Sequence, residues 1–199
     1  MTDHLIETFD DGIATLTFNR PEARNALTQE VISALSAAAP RLALDPKVRV
    51  VVITGAGGAF CAGGDVKGFV APQGAAGPTF DERVNGIRAG ADFSRMLHEM
   101  PKPTLAVIPG AAAGAGLSIA LACDMRIAAD TAKLTTAFSK IGASGDYGGS
   151  YFLTKLVGPA KARELYFTAD VITGAEASSE EHPSELQSPC NLVCRLLLE

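Results

Sequence analysis

Residues 106–124, AVIPGAAAGAGLSIALACD, decide the fold. An apolar strand runs into small residues and then directly into an apolar helix. Such a turn leaves backbone N–H groups near Ala115 unpaired at a helix N-terminus, where negative charge is favoured. A second small-residue stretch, Gly55-Ala-Gly-Gly-Ala-Phe-Cys-Ala-Gly-Gly-Asp65, follows another apolar run, Val48–Thr54. Two such loops together could form an oxyanion hole.

The flanking chain alternates strands and helices. Ile13–Phe18 alternates in polarity and predicts a strand, ended by a turn at Asn19-Arg-Pro-Glu22. Thr28 is the N-cap of a predicted helix with Val31, Leu35 and Leu42 on one face, and Pro40 is expected to kink or shorten it. Val48–Thr54 reads as a strand buried on both faces. Val70–Pro78 reads as a loop. Phe80–Met100 predicts a helix with Val84, Ile87, Ala91 and Leu97 near one face, weakened by Gly86 and Gly90. Thr104–Ile108 is a predicted strand, Leu117–Cys123 a buried helix, and Met125–Ala129 and Lys133–Phe138 short strands. Pro159 suits the first turn of a helix ending near Thr168. Repeated strands followed by a helix imply an α/β domain with partly parallel strands. That order alone leaves open a spiral of ββα units or a doubly wound sheet.

Composition narrows the function classes. The 199 residues suffice for one domain with a real core, and 47% hydrophobic with 20% charged residues is an ordinary globular balance. The net charge of −5 includes four Glu and one Arg in residues 178–199, and no basic stripe suggests nucleic acid. No apolar run is long enough to span a bilayer, and Met1-Thr-Asp-His4 has no signal-peptide pattern, so the expected location is the cytoplasm. Cys61 and Cys123 read as reduced thiols. His4, His98 and His182 are scattered, so no metal site is expected.

The ordered set Asn19-Arg-Pro21, Asn25-Ala-Leu27, Phe60-Cys-Ala-Gly-Gly-Asp65, Lys102-Pro103, Gly110–Gly116, Cys123-Asp124 and Leu156-Val-Gly158 resembles the enoyl-CoA hydratase/isomerase (crotonase) superfamily over roughly residues 5 to 177. The resemblance implies an α/β spiral of ββα units and acyl-CoA thioester substrates. CoA is then part of the substrate, with no separate cofactor. It also implies a trimer or a dimer of trimers. The oxyanion donors would be the backbone N–H groups of Gly64 and Ala115, where small residues let a thioester oxygen approach the main chain. Arg24, Ala26, Ala62, Asp65 and Val66 match positions lining the CoA path. Arg24 reads equally as a solvated surface charge, and Lys67 and Lys102 as phosphate partners or surface lysines.

The acid–base set decides the reaction. Family hydratases use two glutamates, and the matching positions here are Ser118 and Phe138. Ser118 reads as a small core residue, and Phe138 as core or acyl-pocket wall. The remaining carboxylate is Asp146, in Ile141-Gly-Ala-Ser-Gly-Asp-Tyr-Gly-Gly-Ser150. This loop resembles that of ring-epoxide and enoyl-CoA isomerases, where an aspartate is the base. One carboxylate suffices to move a proton along a conjugated thioester, with no water to activate. The bland alternative is an Asx-turn aspartate. Tyr147 and Tyr151 line the acyl pocket or simply pack. The family's dehalogenases need a tryptophan, and this chain has none. Ser118 as a hydrolytic nucleophile lacks the closing glycine of a nucleophile elbow. A hydratase with an atypical acid–base set and a non-catalytic fragment remain as alternatives.

After Ala177 the character changes. Glu180–Ser188, EEHPSELQS, reads as a translated library adapter with one substitution, and Leu192–Leu198 is an apolar cluster. The expectation is a core over residues 1–177 and a non-native tail over 178–199. That tail would stand in place of the family's C-terminal helical trimerisation region and impair assembly. Cys190 and Cys194 are then not a redox or metal pair.

Overall fold

The structure, a computed structural model, describes residues 3–65, 77 and 79–180. The loop expected at 70–78 and the tail from residue 181 therefore lie almost wholly outside the described residues. The chain opens with β1 (Leu5–Asp10) and β2 (Ile13–Phe18), an antiparallel hairpin. Its two-residue turn, Asp11-Gly12, has both φ angles positive, the chemistry that suits strand twist. The helix α1 (Gln29–Leu44) follows, with the Thr28 side chain accepting from Val31 N–H as an N-cap.

From there each long strand is followed by a short one and then a helix. The pairs are β3 (Val50–Gly55) with β4 (Ala59–Cys61), β5 (Thr104–Ile108) with β6 (Ala111–Ala113), and β7 (Met125–Ala128) with β8 (Lys133–Thr135). The helices are α2 (Phe80–His98), α3 (Ala115–Ala122) and α4 (Gly149–Thr168), and the described chain ends with β9 (Ile172–Thr173) and α5 (Gly174–Glu180). The long strands form one sheet in the order β1-β2-β3-β5-β7, and the short ones a second, β4-β6-β8-β9. From β2 to β7, and from β4 to β8, neighbours pair parallel. Each repeat thus gives one strand to each sheet, which selects the ββα spiral over the doubly wound alternative.

Several expectations are corrected. Pro40 neither kinks nor stops α1, which runs on to Leu44. Pro40 lies on the exposed face, and Ala39 and Leu42 hold the last turn by burial. Val51 and Ile53 of β3 are fully buried, but Val50 and Val52 are only half-buried, so the strand is not enclosed on both faces. Ile87 is 56% exposed, because α2 buries only its C-terminal half, through Gly90, Phe93, Ser94 and Leu97. β8 stops at Thr135, since Ala137 turns left-handed (φ 61°) and Phe138 starts a 3-10 turn. Pro159 does begin a helical segment, but after a break at Gly158 (φ 78°) that follows nine more helical residues from Gly149. The compositional break at Ala177 falls inside α5, whose first turn carries a Thr173–Glu176 capping box.

The core lies between the sheets and helices. α3 is buried along its whole length, which explains a sequence apolar on every side. Gly116 lets it lie on β4, since a Cβ there would clash with the Cys61 carbonyl and stand 2.8 Å from Cys61 Sγ. Among the described residues no helix is long and apolar enough to cross a membrane.

Candidate active site

Two segments far apart in sequence are laid side by side. Arg24 C=O accepts from Ala62 N–H (3.0 Å), Leu27 N–H donates to Gly63 C=O (2.8 Å), and Asp65 N–H donates to Leu27 C=O (3.1 Å). Residues 24–27 and 62–65 thereby run parallel, which brings Arg24, Ala26, Ala62 and Asp65 together as expected. Val66 and Lys67 lie outside the described residues. Arg24 is exposed and in the left-handed region (φ 50°).

The side chains that hold this pairing were not assigned roles from sequence. Asn25 is buried, and its Nδ2 donates to Ala56 C=O (2.9 Å) and Ala59 C=O (2.8 Å) while Oδ1 accepts from Arg20 N–H (2.8 Å). Arg20 Nη1 donates to Ala26 C=O (3.0 Å) and to Asp65 Oδ2 (3.2 Å). The half-buried Asp65 carboxylate is therefore held by Arg20. Lys102 is likewise engaged, its ammonium donating to Leu42 C=O (2.7 Å) and Asp45 C=O at the end of α1. It is a helix-end cap, a role that suits the dipole, and not a phosphate partner.

The two expected oxyanion donors stand at the meeting of the loops. Pairing with Leu27 uses Gly63 C=O and Asp65 N–H, and the Gly64 N–H between them has no partner among the described residues. Ala115 is the first residue of α3, its N–H is also without a partner among the described residues, and Gly114 before it caps the helix with no side chain (φ 52°). Gly63 (φ 92°) closes the distance: a Cβ there would stand 2.9 Å from Ala113 C=O and 3.5 Å from Ala115 N. Two backbone donors unpaired among the described residues, beside a helix N-terminus, are the elements of an anion-stabilising hole.

Asp146 sits on the loop that packs against α3 through Gly149 and Ser118. Its Oδ1 is buried without a hydrogen-bond partner, and burial pushes its carboxyl up to about 6 despite an opposing bond from its own backbone. The loop that carries it is pinned at several points. Gly145 lies on the Tyr166 ring (2.7 Å from a Cβ), and Gly148 on the Phe152 ring (2.8 Å). A Cβ on Gly149 would clash with Ser118 Oγ and stand 2.6 Å from Tyr166 Oη. Tyr147 is buried with its hydroxyl against Gly90 of α2, so it packs, whereas Tyr151 is 54% exposed.

Ser118 and Phe138 adjoin this loop. Ser118 is buried and donates from Oγ to Gly114 C=O (3.2 Å). Phe138 is buried and stacks on Tyr166, with ring centroids 6.1 Å apart. Buried inside a helix, Ser118 is not presented as a nucleophile. Cys61 and Cys123 are free and buried, and burial drives both thiols up to about 12, so they remain protonated and unreactive. Such an arrangement is able to polarise a carbonyl oxygen, and a desolvated carboxyl such as that of Asp146 is able to act as acid or base.

Comparison with known proteins agrees with this geometry. The sequence profile of the family described as Enoyl-CoA hydratase/isomerase matches residues 8–183. The chain is 35% identical over 178 residues to 1,2-epoxyphenylacetyl-CoA isomerase of Escherichia coli K12, covering 89% of this chain and 67% of that protein. It is 40% identical over 162 residues to the Mycobacterium tuberculosis protein named probable enoyl-CoA hydratase EchA14, covering 81% of this chain and 60% of that one. The chain thus spans about two thirds of the length of such relatives. Among solved structures, an enoyl-CoA hydratase from Mycobacterium avium subsp. paratuberculosis K-10 superposes with a TM-score of 0.80 at 34% identity, over 91% of this chain and 70% of that one. A Thermobifida fusca YX protein crystallised in complex with CoA gives a TM-score of 0.81 at 34% identity, over 90% and 70%.

Proposed function

Because this chain belongs to the enoyl-CoA hydratase/isomerase family, we propose that its reaction is isomerisation of an enoyl-CoA or aromatic-ring acyl-CoA with Asp146 as the proton carrier. The Asp146 carboxylate removes a proton from carbon near the thioester. The electron pair moves onto the thioester oxygen, where Gly64 N–H and Ala115 N–H stabilise the enolate. The enolate collapses, the double bond shifts, and Asp146 returns the proton to another carbon. Nothing is consumed, and no water need be activated.

The observation that carries this reading is the Asp146 carboxylate, which has one buried, partnerless oxygen and a raised pKa beside the two positions where family hydratases carry glutamate. Its support from relatives is at family level, since they are named both isomerase and hydratase. In this reading the CoA portion runs along Arg24, Ala26, Ala62, Asp65 and Val66, largely by backbone contact. CoA belongs to the substrate, and no separate cofactor takes part.

The test is Asp146→Asn, assayed on a 3-enoyl-CoA. Isomerisation should fall by roughly two orders of magnitude or more, the usual worth of a general base, with affinity for the CoA ester nearly unchanged. Wild-type turnover in the Asn variant would remove the assignment. Hydration of crotonyl-CoA faster than isomerisation by the native chain would favour the second reading, a hydratase with an unusual acid–base set.

A further inference from the structure

The oxyanion donor Ala115 N–H and the carbonyl of Gly114 belong to one peptide group. That carbonyl accepts twice from the same residue, from Ser118 N–H (3.0 Å) and from Ser118 Oγ (3.2 Å). The Tyr166 hydroxyl lies near Ser118 Oγ: both oxygens crowd the small space where a Gly149 Cβ would stand. With the Ser118 proton on Gly114 C=O, the Ser118 oxygen keeps lone pairs able to accept from a neighbouring hydroxyl. The Tyr166 ring is itself fixed, stacked on Phe138 and carrying Gly145 of the Asp146 loop.

We propose that Tyr166 and Ser118 form a relay, Tyr166 O–H to Ser118 O–H to Gly114 C=O, that orients and polarises the peptide whose N–H stabilises the enolate. They are positioning residues, acting through the backbone of Gly114 and Ala115. Donation to a peptide carbonyl draws electron density toward its oxygen and makes the N–H of the same peptide a stronger donor. A serine bonding back to the carbonyl four residues earlier is common in helices. What sets this one apart is that the acceptor peptide is the oxyanion peptide and that a second hydroxyl stands behind the serine. Tyr166 suits the outer place, because burial drives its hydroxyl up to about 12 and keeps it a donor at neutral pH. The same ring seats the Asp146 loop, so the proton carrier and the oxyanion peptide share one support. The proposal rests on the oxyanion reading above, but not on Asp146 being the base.

The test uses the full chain with Tyr166→Phe, Ser118→Ala and the double variant. Tyr166→Phe keeps the ring stack and removes only the hydroxyl. The decisive readout is the infrared stretch of hexanoyl-CoA labelled with heavy carbon at the thioester carbonyl, an unreactive ester. On wild type this stretch should move to lower frequency on binding. Both single variants should move it less, with kcat on a 3-enoyl-CoA lowered roughly 3- to 10-fold and KM unchanged. The double variant should be little worse than Ser118→Ala, since the residues act in series. Asp146→Asn should keep the full carbonyl shift. A wild-type shift in Tyr166→Phe and Ser118→Ala, whatever their kcat, overturns the relay. No shift on wild type removes the oxyanion reading and the relay with it. Turnover retained by Asp146→Asn, with the shift still dependent on Tyr166, removes the base assignment alone.

Discussion

At the residue scale Asp146 shows what a desolvated carboxyl does to both rate and stability. Its pKa is raised from 3.8 to about 6 because burial disfavours the charge. A base must be ionised, so kcat/KM for isomerisation should rise with pH through about 6 and then level off, as a pH–rate profile would show. Stability runs the other way. A carboxyl with a raised native pKa binds its proton more tightly when folded. Its stabilising contribution is full below the unfolded value and is lost as pH rises through the native one. Asp146→Asn, which carries no charge, should therefore melt above the wild type at about pH 7.5, and the gap should close below about pH 4. Equal melting temperatures at both pH values would mean that Asp146 is not strained by burial. Asn25 is the contrasting case. Its three hydrogen bonds hold the loop of Arg20, Ala56 and Ala59, yet in the sequence it is only one letter of the Asn25-Ala-Leu27 motif. Bonds spanning up to 34 residues leave no local pattern to read.

At the element scale the glycines of α2 give a prediction whose sign differs from one turn to the next. Both Gly86 and Gly90 weaken the helix by propensity alone. A Cβ on Gly86 meets nothing, whereas a Cβ on Gly90 collides with the Tyr147 hydroxyl. Gly86→Ala should raise stability by about 0.5–1 kcal/mol. Gly90→Ala should lower it by about 1–3 kcal/mol through overpacking, and should also slow turnover, because Tyr147 adjoins Asp146. Urea titration of the two variants separates the cases, and equal stabilisation by both would mean Tyr147 does not fix the loop. The same contrast marks how much was legible. β2 is legible at its observed limits because it alternates in polarity, and β5 because Pro103 and Pro109 bound its apolar run. β4 and β6 are three residues long and lie within the very glycine- and alanine-rich loops that were read for chemistry, so no period of two could emerge. The first half of α4 begins with Gly148 and Gly149, which read as turn, and only the packing of Phe152 and Leu153 makes it a helix. The two small-residue loops and Asp146 stand out in the sequence by residue type alone. Tyr166 does not, since one tyrosine in a helix carries no signal until Phe138, Ser118 and Gly145 are folded against it.

At the scale of the whole molecule the spiral leaves apolar area uncovered on two helices. Phe80 is 72% exposed on α2 and Phe167 is 77% exposed on α4, with Ile87 and Tyr151 also largely exposed on these helices. Single exposed apolar residues are ordinary, but several large ones on neighbouring repeats of one fold favour association. α2 buries only its C-terminal half, through Phe93 and Leu97, and α4 one face, through Phe152, Leu153 and Leu165. The N-terminal half of α2 and the outer face of α4 are therefore available to pack against another copy without disturbing the core. We propose that the chain self-associates through these faces into a mixed distribution, not the defined trimer or hexamer that the family resemblance implies. Sedimentation at rising protein concentration should show mass above the monomer, and sulfate should strengthen it, as it does other apolar contacts. Ile87→Asp and Phe167→Asp should shift the distribution toward monomer with little change in melting temperature, because neither side chain is buried in the folded chain. A monomer at every concentration would overturn the proposal. A fall in melting temperature without a change in mass would instead place those side chains in the fold itself.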